Sequence, residues 1–152
     1  MNIKIDEIYA DKLHQQEIKS QSFNELENLY LKRIYSYVEA MKLKGFHVYA
    51  DSINLGGLFS KKNQILVIEF KKSKVKGLTA YYYLQDNGFS MNFRLYKCIN
   101  KSYINDLNEK PQAQRLEFIK NRLKSLDERD DFTMFDSLID QLFVKAIKNL
   151  PQ

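Results

Sequence analysis

A chain of 152 residues, 44% hydrophobic and 28% charged, can bury about two-thirds of its unfolded surface in one core, which excludes a disordered chain, a fibrous repeat and a disulfide-stapled miniprotein. Its one cysteine, Cys98, rules out an internal disulfide, no apolar run approaches a membrane span, and Asp6 and Glu7 interrupt any leader-like stretch, so a cytoplasmic protein without a membrane association is expected. The net charge of +5, from 24 basic and 19 acidic side chains, is concentrated between 61 and 76, where Lys61, Lys62, Lys71, Lys72, Lys74 and Lys76 face Glu69 alone. Such a patch attracts phosphate or an acidic protein surface, or blunts a sheet edge.

In residues 1–20, Ile3 and Ile5 alternate as in a strand while Ile8, Tyr9 and Leu13 follow helical spacing; the reading adopted is a short, loosely attached helix. Ser22-Phe23-Asn24-Glu25 has the form of a capping box, so a long helix should begin there. Leu26, Leu29, Tyr30, Ile34, Tyr37, Val38 and Met41 give it one apolar face as far as about residue 44, and Gly45 suits the left-handed position that ends it. The period then changes to two, with Phe46, Val48 and Ala50 alternating with His47, Tyr49 and Asp51. A turn at 54–57 leads to a strand from Gln64 to Lys71, whose centre is the apolar run Ile65 to Ile68. The lysine loop ends at Gly77, a strand follows from Leu78 to Gln85, and Asp86-Asn87-Gly88 supplies the residues of a tight hairpin before the returning strand from Phe89 to Ile99.

Pro111 is placed for the first turn of a helix whose stripe is Leu116, Ile119, Leu123 and Leu126. Residues 127–131 read as a charged connector capping a last helix, in which Phe132, Phe135, Leu138, Ile139, Leu142, Phe143, Ala146, Ile147 and Leu150 form a wide apolar face. The predicted fold is α+β: one domain over 1–152, with a long N-terminal helix, a four-stranded antiparallel meander, and two C-terminal helices packed on one sheet face.

If the strands pair as read, the face turned from the helices collects His47, Tyr49, Asp51, Glu69, Lys71, Tyr81, Tyr83, Arg94 and Tyr96. Rings on an open sheet stack nucleobases while lysines neutralise phosphates. The alternative is that tyrosines are there for strand packing, covered by a helix or a second copy. The expected function is a small binding module without enzymatic activity or cofactor. It recognises nucleic acid or an acidic protein surface through Lys71, Lys72, Lys74, Lys76, Tyr81, Tyr83, Arg94 and Tyr96. An inhibitor or immunity-type role, or a homodimeric interaction protein, would present the same pattern.

Glu69-Phe70-Lys71 closes a hydrophobic strand preceded by a long helix, a Gly-Phe junction, a strand and a turn. Over residues 23–72 this order resembles the front half of the PD-(D/E)XK nucleases, in particular the small resolvase-like ones. The resemblance implies an alternative, metal-dependent phosphodiester hydrolysis with Asp51 and Glu69 holding the metal, Lys71 stabilising phosphate charge, and Glu25 as the helix acid. Elsewhere the signals are weak. His14 and His47 are too few for a zinc site, and Cys98 reads as a small buried hydrophobe.

Overall fold

The computed structural model describes residues 2–17, 23–54 and 62–151. In chain order these form β1 (Ile8–Glu17), α1 (Phe23–Met41), β2 (Phe46–Asn54), β3 (Lys62–Phe70), β4 (Thr79–Asp86), β5 (Ser90–Cys98), α2 (Gln112–Arg122) and α3 (Leu126–Ile147), with 3-10 turns at Ile5–Glu7 and Leu107–Glu109. The class is α+β, and the sheet is antiparallel with the order β1-β5-β4-β3-β2. It has five strands rather than four, and the first helix follows a strand instead of opening the chain.

The fifth strand is the segment expected to be a loose helix. Ala10 to Glu17 pair residue for residue with Lys97 to Ser90, after a bulge that sets Tyr9 out of register. Helical spacing misled because β1 is an edge strand whose helix-facing positions after Ala10 are Lys12, His14 and Gln16. These are held by polar or ring contacts: Lys12 near Asp140 at 3.8 Å, Gln16 donating to the Pro151 carbonyl, and His14 beside the Phe93 ring. No apolar alternation marks such a strand.

All three helices lie on one face and share one core. Tyr30 of α1 is fully buried there, edge-on to the rings of Tyr82, Phe93 and Phe143, and its hydroxyl donates to the Arg94 carbonyl at 2.8 Å. Leu26, Leu31, Ile34 and Val38 complete the buried stripe of α1. The helix ends at Met41, with Lys42 and Gly45 at positive φ leading into β2. Part of the expected capping box (Ser22) and most of the turn at 54–57 lie outside the described residues.

Two expectations about the C-terminal helices are corrected. α3 begins at Leu126, capped by Ser125 in a full capping box with Glu128, so 127–131 are its first turns and not a connector. Ser-x-x-Glu was the signal, and the acids belong there because they oppose the helix dipole. Leu126 is therefore not on the α2 stripe and is exposed, as is Phe89, which lies in the β4–β5 hairpin ahead of β5.

Between sheet and α3, Lys97 is buried and bridges Asp136 and Asp140, each at 2.7 Å, while the Tyr9 hydroxyl donates to Asp136 at 2.9 Å. β1, β5 and α3 are joined by this polar clamp inside an apolar layer.

Candidate functional site

The register fixes which side chains share the face away from the helices. One row across the sheet reads Asp11, Tyr96, Tyr81, Val67, Tyr49, and the next reads Leu13, Arg94, Tyr83, Ile65, Asp51. His47, Glu69 and Thr79 follow toward one end. All the residues read from the sequence as the second face are thus brought to one side, except Lys71, which follows β3 and reaches back to Glu69 at 2.6 Å.

This face has an apolar bed of its own. Ile53, Ile65, Val67 and Tyr83 are buried, with Ile3, Tyr49, Tyr81 and Tyr96 packed around them. The sequence reading missed Ile3, Ile53, Ile65 and Val67 as parts of the face. The signal was the unbroken run Ile65 to Ile68, since a strand apolar at consecutive positions is covered on both sides. A cleft of about 270 Å³ opens here, lined by Asn2, Ile3, Ile5, Ile8, Ile53, Tyr83 and Tyr96. It is smaller than the ~300–1,000 Å³ of ordinary small-molecule sites. A larger depression of about 650 Å³ beside Lys101 to Asn108 is shallow and polar, and the charges on its rim, Asp6 and Lys101, already pair at 3.0 Å.

Several polar groups of the tyrosine face engage one another, while the Arg94 Nε is buried without a hydrogen-bond partner among the described residues. Tyr49 donates to Glu69 at 2.9 Å and Lys71 pairs with the same carboxylate. Burial opposes the charge on Glu69, but the hydrogen bonds from Lys71 and Tyr49 outweigh it and hold the carboxyl below its usual range. Tyr49 is pushed up to about 12, by burial and then by Glu69. Burial also raises Tyr81 and Tyr83, the latter further through its hydrogen bond with Tyr96. Tyr49, Tyr81 and Tyr83 therefore present neutral hydroxyls, not phenolates.

The lysine loop is elsewhere. Val75 is buried in the helix-side core and the Lys74 amide donates to Asp131 of α3, at 2.7 Å. Lys72, Lys74 and Lys76 are exposed at the sheet end, on a loop anchored toward the helices. Tyr83, 4% exposed, offers no ring face for stacking. The proposed metal set also fails to converge: Asp51 pairs with Ile65, four residues from Glu69, which sets the backbone positions of the two acids about 13 Å apart along the strand direction. Glu25 belongs to α1, on the opposite side of the sheet. After Lys71 the chain continues into β4, where the nuclease pattern would place a helix. Among the described residues no group of three or more His, Cys, Asp or Glu is placed to hold a metal ion. Cys98 is buried at 5% exposure, and burial pushes its thiol up.

Fold and face together define a five-stranded antiparallel α+β protein with a helical layer on one side and a tyrosine-rich sheet surface on the other. No protein-family model, curated protein or solved structure matches the chain. No helix among the described residues is long and apolar enough to cross a membrane.

Proposed function

We propose that this chain is a non-enzymatic protein-binding module whose partner docks on the tyrosine face and seats an apolar side chain in the cleft between the N-terminal segment and Tyr83 and Tyr96. The observation that carries this reading is the composition of the face: Tyr49, Tyr81 and Tyr96 at the surface, an isoleucine-lined cleft, and charges of both signs. Arg94 and Lys71 stand with Asp11, Asp51 and Glu69. Interfaces between proteins are rich in Tyr and Arg, poor in Lys, and held by a few anchors in fitted pockets. A nucleic-acid surface would instead concentrate positive charge beside its stacking rings. Here Lys71 reaches the rings but is paired with Glu69, while Lys72, Lys74 and Lys76 are on a loop anchored toward the helices. An inhibitor or immunity-type role is one form of this reading.

The test compares wild type, Tyr81→Ser/Tyr96→Ser and Lys72→Ala/Lys74→Ala/Lys76→Ala as affinity baits, with the captured protein then purified and titrated calorimetrically. The tyrosine variant should lose about 2 kcal/mol or more of binding, as hot-spot residues do, and the lysine variant should bind nearly as wild type. Salt-steep binding of oligonucleotides that survives the tyrosine changes and vanishes with the lysine changes would overturn the reading in favour of nucleic acid.

A further inference from the structure

β2 is an outer strand of nine residues with β3 as its one pairing neighbour. The other outer strand, β1, is flanked by α2, where Arg115 donates to the Ile8 carbonyl and Gln112 to Asp11. β2 has no such cover among the described residues. Its sequence around Tyr49 is symmetric in chemistry: His47 stands two residues before it and Asp51 two residues after, all on the tyrosine face, while Val48 and Ala50 flank it on the other. His47, Ala50 and Asp51 are exposed.

The direction of the backbone groups follows from the ladder. The Phe70 amide donates to the Leu78 carbonyl, on the β4 side. Alternation then turns the amides of Glu69, Val67 and Ile65 toward β2, where their partners are His47, Tyr49 and Asp51. The amides and carbonyls of Val48 and Ala50 therefore point outward, away from the sheet.

We infer that β2 pairs antiparallel with β2 of a second copy about a two-fold axis through Tyr49. In that register Val48 and Ala50 of one copy meet Ala50 and Val48 of the other as hydrogen-bonded pairs, so the four outward backbone donors and acceptors of these residues are satisfied on both chains. His47 stands opposite Asp51 of the second copy, twice, in the closer type of cross-strand pair, and Tyr49 faces its own mate. Moving the axis to Ala50 sets His47 against Ile53 and Tyr49 against Asp51, and the pairing of imidazole donor with carboxylate acceptor is lost. Asp51 holds the Ser52 amide with Oδ1 at 2.7 Å, and its second oxygen serves the histidine. A two-fold strand pairing is isologous and closes, so it yields a dimer with one ten-stranded sheet and joined tyrosine faces, and no filament. The inference stands apart from the protein-binding reading, because it uses the edge of the sheet and not the cleft.

Sedimentation velocity across a wide concentration range tests it. Wild type should show a reversible monomer–dimer equilibrium. Asp51→Lys replaces the carboxylate that accepts from His47 with a group that can only donate, and His47→Glu places a second acid against Asp51, so each variant alone should dimerise about tenfold or more weakly, as the donor–acceptor match is lost at two symmetric positions. Mixed together the two variants should form a heterodimer, since the lysine introduced in one chain then meets the glutamate introduced in the other, while the remaining His47 meets the remaining Asp51. Ala50→Pro, which removes an outward amide from an edge position that tolerates proline, should leave the far-ultraviolet spectrum unchanged and abolish the dimer. A wild type that stays monomeric throughout, a dimer indifferent to Ala50→Pro, or variants that fail to recombine when mixed would each overturn the inference.

Discussion

Lys97 and Glu69 show how one residue's role depends on which face of the sheet it reaches. Lys97 points into the helix side with its side chain 4% exposed, between Asp136 and Asp140 of α3. Ion pairs of this kind add little beyond what an apolar filling would, but removing one partner strands the others in a poorly solvated site. Lys97→Met should therefore lower stability by about 3 kcal/mol in urea titrations, near the low end for broken buried pairs because the two aspartates retain some water contact. Adding Asp136→Asn and Asp140→Asn to Lys97→Met should recover most of the loss. Glu69 is partly solvated and its carboxyl is held below the usual range by Lys71 and Tyr49 against the effect of burial. A depressed carboxyl stabilises the folded state above its unfolded value, about 4.3 for Glu, and the benefit fades as pH falls through the lower folded value. Glu69→Gln should accordingly be less stable than wild type at neutral pH, by under about 1 kcal/mol for so exposed a pair. The difference should disappear in acid, and a pH series of thermal melts reads it directly.

At the scale of elements, α1 and β2 to β5 were legible because their burial is one-sided or continuous. Tyr30, Ile34 and Val38 repeat at helical steps and are buried, and Asp86-Asn87-Gly88 closes its hairpin with Asn87 Oδ1 accepting the Ser90 amide at 2.8 Å. The alternation that collected Tyr81, Tyr83, Arg94 and Tyr96 on one face is a local property of two strands, and so it could be read without knowing their neighbours. β1 was not legible, since its helix-side positions are Lys12, His14 and Gln16, whose partners Asp140, Phe93 and Pro151 are far away in sequence. The placement of the lysine loop was hidden for the same reason: Val75 and the Lys74 amide are drawn to the helix side by the main core and by Asp131. Local pattern predicts what a residue's neighbours in sequence settle, and long-range polar contacts fall outside it.

For the whole molecule, the sheet is closed by a pairing between its first strand and its last. β1 meets β5 only after the rest of the sheet sequence has been made, with Glu17 opposite Ser90 and Ala10 opposite Lys97. β1 also brings the Tyr9 ring, buried against Phe132 at 5.1 Å between centroids and tied through its hydroxyl to Asp136. A short helix resting on the surface could be deleted at little cost. Deleting residues 1–17 from this architecture instead turns β5 into an outer strand of unpaired backbone groups, opens a cavity where Tyr9 lay, and withdraws one hydrogen bond from the buried clamp. Loss of an aromatic side chain from a core alone costs about 3–5 kcal/mol, a large share of the ~5–15 kcal/mol available to a domain. The truncated chain should lose its near-ultraviolet dichroism and its cooperative melt, and should aggregate on heating through the exposed edge of β5. A truncated chain that keeps a sharp melt near the wild-type temperature would show that β1 contributes little, and would return the segment to the status of an appendage.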